Sequence, residues 1–442
     1  MKTNVKKPFV WLISGAGITL LLFWLIRWYF ENPARAFPQM AAAVVSVLLF
    51  AVVGLLAVQR WADFWSSEIE PDADESSAVS GWKVFLALIA WDVLILFLAW
   101  PLRCLLNGNM TLQQSMEAWV SGDSYHYLCI AKDWYLSSGE IDRIVQLVFL
   151  PGYPILIRVV HFIIPNWTYA ALTVSGICFA LAGTLFYRLA RLDLGDGGAR
   201  RALTALCLFP GSFFLAAPMS ESLFLLCCVG CLYLARKEKW LPACLLGAYA
   251  AFTRSLGITL LVPLILELVH IRKKVRFADC ASLLLVPLGF AAYLLVNQQI
   301  AGNPFQFLIY QSEHWHQNLG LFFNTAAYQT DYAIGTIHDN PHNFWGLWMP
   351  NLIASFGALI LMILAGQKMR GSWMVWFVPY YFIAIGATWL LSAPRYLLVF
   401  FPLSEAVSVL TEKKGVRAIV FLLLGILSFL YFLAYLLRWQ VY

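Results

Sequence analysis

In the stretch "WVSGDSYHYLCIAKDWY", Trp119 to Tyr135, a carboxylate and an imidazole stand three residues apart in otherwise apolar surroundings. On a helix Asp123, His126 and Tyr127 fall at i, i+3 and i+4 and share one face. Leu128, Ala131 and the Trp134/Tyr135 pair form an apolar stripe suited to a membrane interface. A carboxylate on such a surface helix can act as general base toward an acceptor hydroxyl. The competing reading makes Asp123 the N-cap in "SGDSYHY", a position that Asp and Ser favour. His126 alone fits interfacial hydrogen bonding as readily as catalysis.

Further along, Glu221 opens an apolar run in "PMSESLF", where it either complements a helix dipole or belongs to a site. Arg254 in "FTRSLG" and Arg395 in "SAPRYLL" each lie at the turn of an apolar hairpin. A guanidinium there suits a lipid phosphate through bidentate, charge-assisted bonds, or snorkels to bulk headgroups. Asp92, inside an apolar run, reads as a polar packing residue. The histidines of "HWH" (314–316) and "HDNPH" (338–342) match no common zinc spacing, and carboxylates are sparse around them. No cofactor is called for, and a divalent cation has no motif behind it. Aromatic rings with Asn, Gln and His, including His338 and His342, more naturally line a sugar site. Cys227, Cys228 and Cys231 sit within one apolar run and read as small packing residues.

The elements that must position these side chains are membrane helices. The 442 residues are 61% hydrophobic and 12% charged, against about a quarter charged in soluble domains. Apolar runs near or above ~18 residues recur throughout, which predicts an all-α polytopic membrane protein. The net charge of +6 comes in short bursts between runs, so it is no signal for nucleic acid. The first apolar run is too long for a signal peptide and lacks a small-residue cleavage site, so it reads as a retained span.

Basic bursts favour the cytoplasmic side, and they orient the chain. Placing Lys2/Lys6/Lys7, Arg188 to Arg201, "ARKEKW", "HIRKKVR", "GQKMRG" and "EKKGVR" inside gathers most of the 30 lysines and arginines there. The residues between "ARKEKW" and "HIRKKVR" must then go out and return in legs of about 14 residues, turning near Arg254. The run 201–236 becomes a hairpin with "APMSES" at its outer tip, and 373–410 turns at Arg395. The run 168–190 is a span, and 149–165 a juxtamembrane helix. The count is about thirteen spans, N-terminus inside and C-terminus outside. Asp123, His126, Glu221, Arg254, His338, His342 and Arg395 then converge on the outer face, where ionisable residues in a membrane protein mark function.

Four regions are expected. Residues 1–80 hold two extra helices and an acidic linker. Residues 81–298 form a membrane core with the outer loop 107–165. Residues 299–345 make an aromatic, His-rich outer loop without Lys or Arg, and 346–442 carry the last spans.

Ordered blocks across about 81–410 resemble the PIG-V type of mannosyltransferase, a member of the GT-C glycosyltransferase superfamily. They are "GDSYHYLCIAKDWY", "FLPGYP", "LFPGSFFLAAPMSESLFLL", "AAFTRSLG" and "SAPRYLLVFFPL". The family's first block usually carries Trp before its Asp; here Gly122 stands there, while Asp123, His126, Ile130 and Ala131 match. The resemblance implies a GT-C-like fold and an inverting enzyme. It implies a polyprenyl-phosphate sugar, typically mannose, as donor, a lipid or glycan acceptor, and a catalytic Asp mapping onto Asp123. His126, Tyr127, Glu221, Arg254, Arg395, His338 and His342 are the expected substrate-binding residues. The expected location is a bacterial cell membrane, with the site on the extracytoplasmic face. A glycosidase needs acid and base, but a lipid phosphate leaves as an anion, so one base with cationic stabilisation suffices. The alternatives are a GT-C enzyme moving another lipid-linked hexose to envelope glycan or protein, and a transporter. A transporter would carry internal repeats and broken helices at mid-bilayer; no convincing repeat is present in the sequence.

Overall fold

The structure, a computed structural model, describes residues 6–66, 79–135, 141–271 and 275–442. The centre of the acidic linker, Lys2 and the lysines of "HIRKKVR" lie outside these residues. Among the described residues the backbone is helical, with one isolated bridge between Leu319 and Ala387. A bilayer core demands this, because backbone groups there find no water and must pair within their own segment.

Three long apolar helices come first: α1 (Lys6–Glu31), α2 (Phe37–Ser66) and α3 (Gly81–Asn107). A capping box, in which Thr111 and Gln114 exchange side chain-to-backbone bonds, starts the short α4 (Leu112–Glu117). The next two helices, α5 (Asp123–Asp133) and α6 (Gly152–His161), are also short. Phe162 and Ile163, just beyond α6, are exposed, as suits the edge of an interfacial helix. The 42-residue α7 (Trp167–Leu208) breaks at Gly195, whose φ of 66° lies in the left-handed region. The break falls inside the Arg188–Arg201 burst, so a span-length limb ends there and a second limb turns back. Asp92 of α3 is buried against α7 at Gly176, where a Cβ would clash with its carboxylate.

After α7 come α8 (Glu221–Arg236), α9 (Trp240–Thr253) and α10 (Leu261–His270). With 16 and 14 residues, α8 and α9 reach about 24 and 21 Å, short of a ~30 Å hydrocarbon core. Arg254, in extended conformation, ends α9 and forms the turn. The α11 (Phe277–Ser282) and α12 (Leu285–Ala301) helices follow nearly end to end.

The 299–345 segment, expected as a loop, is largely helical: α13 (Gln306–Trp315), α14 (Phe322–Thr336) and α15 (Pro341–Asn343). The reason is packing that a polar-aromatic sequence without Lys or Arg does not advertise. Phe322 sits 4.4 Å from Phe50 of α2 between ring centres. Asn324 accepts hydrogen bonds from Trp28 (2.9 Å) and Arg35 (3.0 Å), and Asp331 accepts one from Gln39 (2.6 Å). The two leading helices are thereby joined to the body of the protein.

The chain continues through α16 (Met349–Ala365), α17 (Gly371–Ile385), α18 (Ala393–Leu398), α19 (Pro402–Leu410) and α20 (Lys414–Leu436). Among the described residues seven helices are long and apolar enough to cross a membrane, and three shorter apolar ones accompany them. The expected thirteen crossings are not reached by full-length helices among the described residues.

At the end of the bundle away from Asp123, four ionic residues are tied together. Arg370 donates to both oxygens of Glu267 (2.7 Å each) and to Asp193 (3.2 Å), and Arg236 reaches Asp193 at 2.9 Å. Because α8 and α10 are anchored there, the shortness of α8 and α9 is felt at their other ends. That is where the candidate site lies.

Candidate active site

Four side chains meet there, each from a different element. Asp123 is the first residue of α5, and the turn into that helix is made by Gly122 at φ 55°. The segment before it is held from below by Arg103 of α3, which donates to the carbonyls of Ser115 and Ala118. The Arg103 guanidinium lies 5.2 Å from the buried Trp119 ring, and Ser121 is hydrogen-bonded to Tyr435 of α20 at 3.1 Å. The far end of α5 is fixed by Arg158 of α6, which donates to the Ala131 carbonyl at 2.7 Å.

The N-cap reading of Asp123 is thereby settled geometrically. Gly122 occupies the cap position without a side-chain bond, and the Asp123 carboxylate turns to Arg395, whose Nη1 donates to Oδ2 at 2.7 Å. The same guanidinium donates through Nε to Glu221 Oε1 at 2.7 Å, with Nη2 also 2.7 Å away. Arg254 Nη1 donates to that oxygen too, again at 2.7 Å. Arg254 sits over the Tyr396 ring at 4.9 Å, and Arg395 over Phe214 at 5.2 Å.

Exposure separates the roles. The Glu221 side chain is 0% exposed and Arg395 3%, whereas Asp123 is 34% exposed. Glu221 Oε2 is buried with no hydrogen-bond partner among the described residues. Asp123 is the carboxylate of the cluster that opens on a cavity. One side of that cavity is Ser121, Gly122, Asp123, Met219, Arg395 and Tyr435; the other is the 438–442 segment beyond α20.

The other expected residues lie farther off. Tyr127 is buried behind the cluster, hydrogen-bonded to Ser220 at 2.9 Å, and burial pushes its phenol well above its ordinary value. His126 stacks on Phe149 at 4.7 Å and meets Gln146 at 3.3 Å. Burial holds its imidazole below the ordinary value, against the opposing pull of Asp123. His342 stacks on Trp439 at 4.8 Å, so it touches the cavity wall from behind. His338 is exposed near the end of α14 and does not line the cavity. Among the described residues no three of His, Cys, Asp and Glu gather to hold a metal ion. Cys227, Cys228 and Cys231 are free and buried within α8.

Sequence reasoning missed Arg438 and Trp439. The signal was available, since "LRWQVY" places a guanidinium just past an apolar span at the expected outer end, as with Arg254 and Arg395.

Residues 104–274, which carry Asp123, Glu221 and Arg254, match the family model described as mannosyltransferase (PIG-V). The chain is similar to the PIG-V mannosyltransferases. The matched segment includes three of the four clustered residues, and Arg395 joins them from outside it. No curated protein matches the chain. Among solved structures, ArnT from Cupriavidus metallidurans bound to undecaprenyl phosphate matches with a TM-score of 0.49 and 15% identity. That match covers 78% of this chain and 63% of ArnT, under two thirds of the latter's length.

Proposed function

We propose that this membrane protein is an inverting glycosyltransferase that moves a sugar, mannose in the first instance, from a polyprenyl phosphate to an acceptor hydroxyl on the outer face. The observation that carries the reading is the Asp123 carboxylate, fixed by Arg395 and open to a cavity, inside a segment that matches a mannosyltransferase family.

The chemistry follows from what each group has left to give. With Oδ2 bound to Arg395, Asp123 keeps Oδ1 to accept the acceptor's proton. The acceptor oxygen attacks the anomeric carbon, the bond from that carbon to the phosphate oxygen breaks, and its electrons leave with the phosphate. Proton removal by a positioned base contributes about 10²–10⁴-fold. Glu221 holds the two arginines in place, and Arg395 presents Asp123 in one orientation. Positive charge beside the leaving group replaces a general acid. With α8 and α9 shorter than a hydrocarbon core, on this reading the chemistry lies within reach of a lipid-borne donor whose polyprenyl tail lies along the apolar hairpins and α6.

The test is mass analysis of products from the purified protein given labelled mannosyl and glucosyl polyprenyl phosphates. Incorporation of mannose, undiminished in EDTA, is expected. Transfer of another hexose alone would redirect the donor, and no transfer from any lipid-linked sugar would overturn the reading.

A further inference from the structure

The four-residue cluster carries no net charge. Asp123 and Glu221 supply two negative charges and Arg254 and Arg395 two positive ones, joined by three contacts of 2.7 Å: Arg254 to Glu221, and Arg395 to both Glu221 and Asp123. Arg395 uses Nε, Nη1 and Nη2 on these carboxylates and is almost wholly buried. Arg254 does not line the cavity at all. A sugar phosphodiester brings one negative charge to this place, and the phosphate monoester that departs acquires a second. Some further cation must meet it. Arg103 and Arg158 bind backbone carbonyls, and neither lines the cavity.

One arginine meets the requirement. Arg438 lines the same cavity as Asp123 and Arg395, is exposed, and has no carboxylate within ion-pair distance among the described residues. Its backbone is an independent sign. After α20 the chain turns back through Arg438 at φ 57°, with Arg438 N–H bonded to the Tyr435 carbonyl at 3.1 Å and Trp439 N–H to that of Ala434 at 3.0 Å. This is the left-handed position past a helix end where glycine is favoured. A non-glycine residue there is strained, and such strain collects at functional sites. Trp439, packed between His342 and Gly346, fixes the turn and so the direction of the guanidinium.

We propose that Arg438 binds the phosphate of the polyprenyl-phosphate donor, facing Asp123 across the cavity and stabilising the charge that grows on the departing phosphate. This deepens the function proposed above and rests on it.

Arg438→Gly makes a discriminating test, because glycine relieves the backbone strain and a loss of function cannot then be laid to a broken turn. Binding of undecaprenyl phosphate and of neutral undecaprenol is measured for the full chain in phosphatidylcholine nanodiscs. The wild type should prefer the phosphate. Arg438→Gly should weaken phosphate binding about tenfold or more, the scale of one lost charge-assisted contact, without changing undecaprenol binding. Arg438→Lys should recover most of the loss. Equal phosphate binding by wild type and Arg438→Gly would overturn the assignment alone. A wild type that does not distinguish phosphate from alcohol would overturn the proposed function with it. If phosphatidylglycerol displaces undecaprenyl phosphate as well as unlabelled undecaprenyl phosphate does, Arg438 belongs to bulk headgroups instead, and the assignment falls.

Discussion

The two ends of α8 carry two arginine–carboxylate clusters that differ in one respect. At the Arg236 end, Asp193, Arg236, Glu267 and Arg370 satisfy one another, and Ser372 adds a 2.5 Å bond to Glu267. Both oxygens of Glu267 and of Asp193 are engaged. At the Glu221 end, three donor atoms converge on one oxygen of Glu221 while the other has no partner among the described residues. There Asp123 gives one oxygen to Arg395 and faces a cavity. The same residue types thus build a closed clasp at one end and an open one at the other. Desolvating ions is expensive unless they are well paired, and only at the second end does a carboxylate of the cluster, Asp123, stay part-exposed and line a cavity where something else can bind.

Breaking the closed clasp should give the largest effect on stability and little on chemistry. Glu267→Gln leaves Arg370 and Arg236 without their buried partner, a change of about 3–5 kcal/mol. Thermal unfolding in detergent should register it, while transfer per folded molecule stays near wild type. A variant that unfolds normally but loses transfer would erase the distinction between the two ends.

Arg395→Lys sharpens the contrast from the other side. An ammonium cannot span Asp123 and Glu221 as the planar fork does. Turnover should drop about 10²-fold through a misplaced base, with donor KM changing far less than kcat. A loss confined to KM would mean that Arg395 binds donor and does not orient Asp123.

The smallest effect concerns His126. Its imidazole is held below the ordinary 6.5 chiefly by burial. A depressed histidine contributes stability above its unfolded value, and that contribution is lost as pH falls through about 6.5 toward the folded value. His126→Gln should therefore flatten the fall of thermal stability below that pH. An unchanged slope would show that another group governs it.

Much of this arrangement is legible in the sequence because charge is so scarce in it. The basic bursts on either side of 240–270 force a turn at Arg254, and the structure makes one after a 14-residue helix. The same rule brings Glu221 and Arg395 to one end with Asp123. What stays hidden is packing among uncharged residues. The apolar and small residues of α14 carry no signal of their contact with α2, and the histidines of 299–345 look alike although His342 backs the cavity and His338 does not. His126 looks like Asp123's partner by helical spacing, yet its ring is taken by Phe149. Arg438 shows in the sequence as an arginine just past an apolar span, but only the backbone shows that the chain after α20 turns back to the cavity.

The central claim is that Asp123 is the base and the surrounding ions exist to present it. Asp123→Asn preserves shape and a hydrogen-bond acceptor for Arg395 but removes the basic oxygen. Transfer from a mannosyl polyprenyl phosphate, measured beside undecaprenyl phosphate binding and thermal unfolding, should fall about 10²–10⁴-fold with the other two nearly unchanged. Transfer at the wild-type rate by that folded, donor-binding variant would contradict the account.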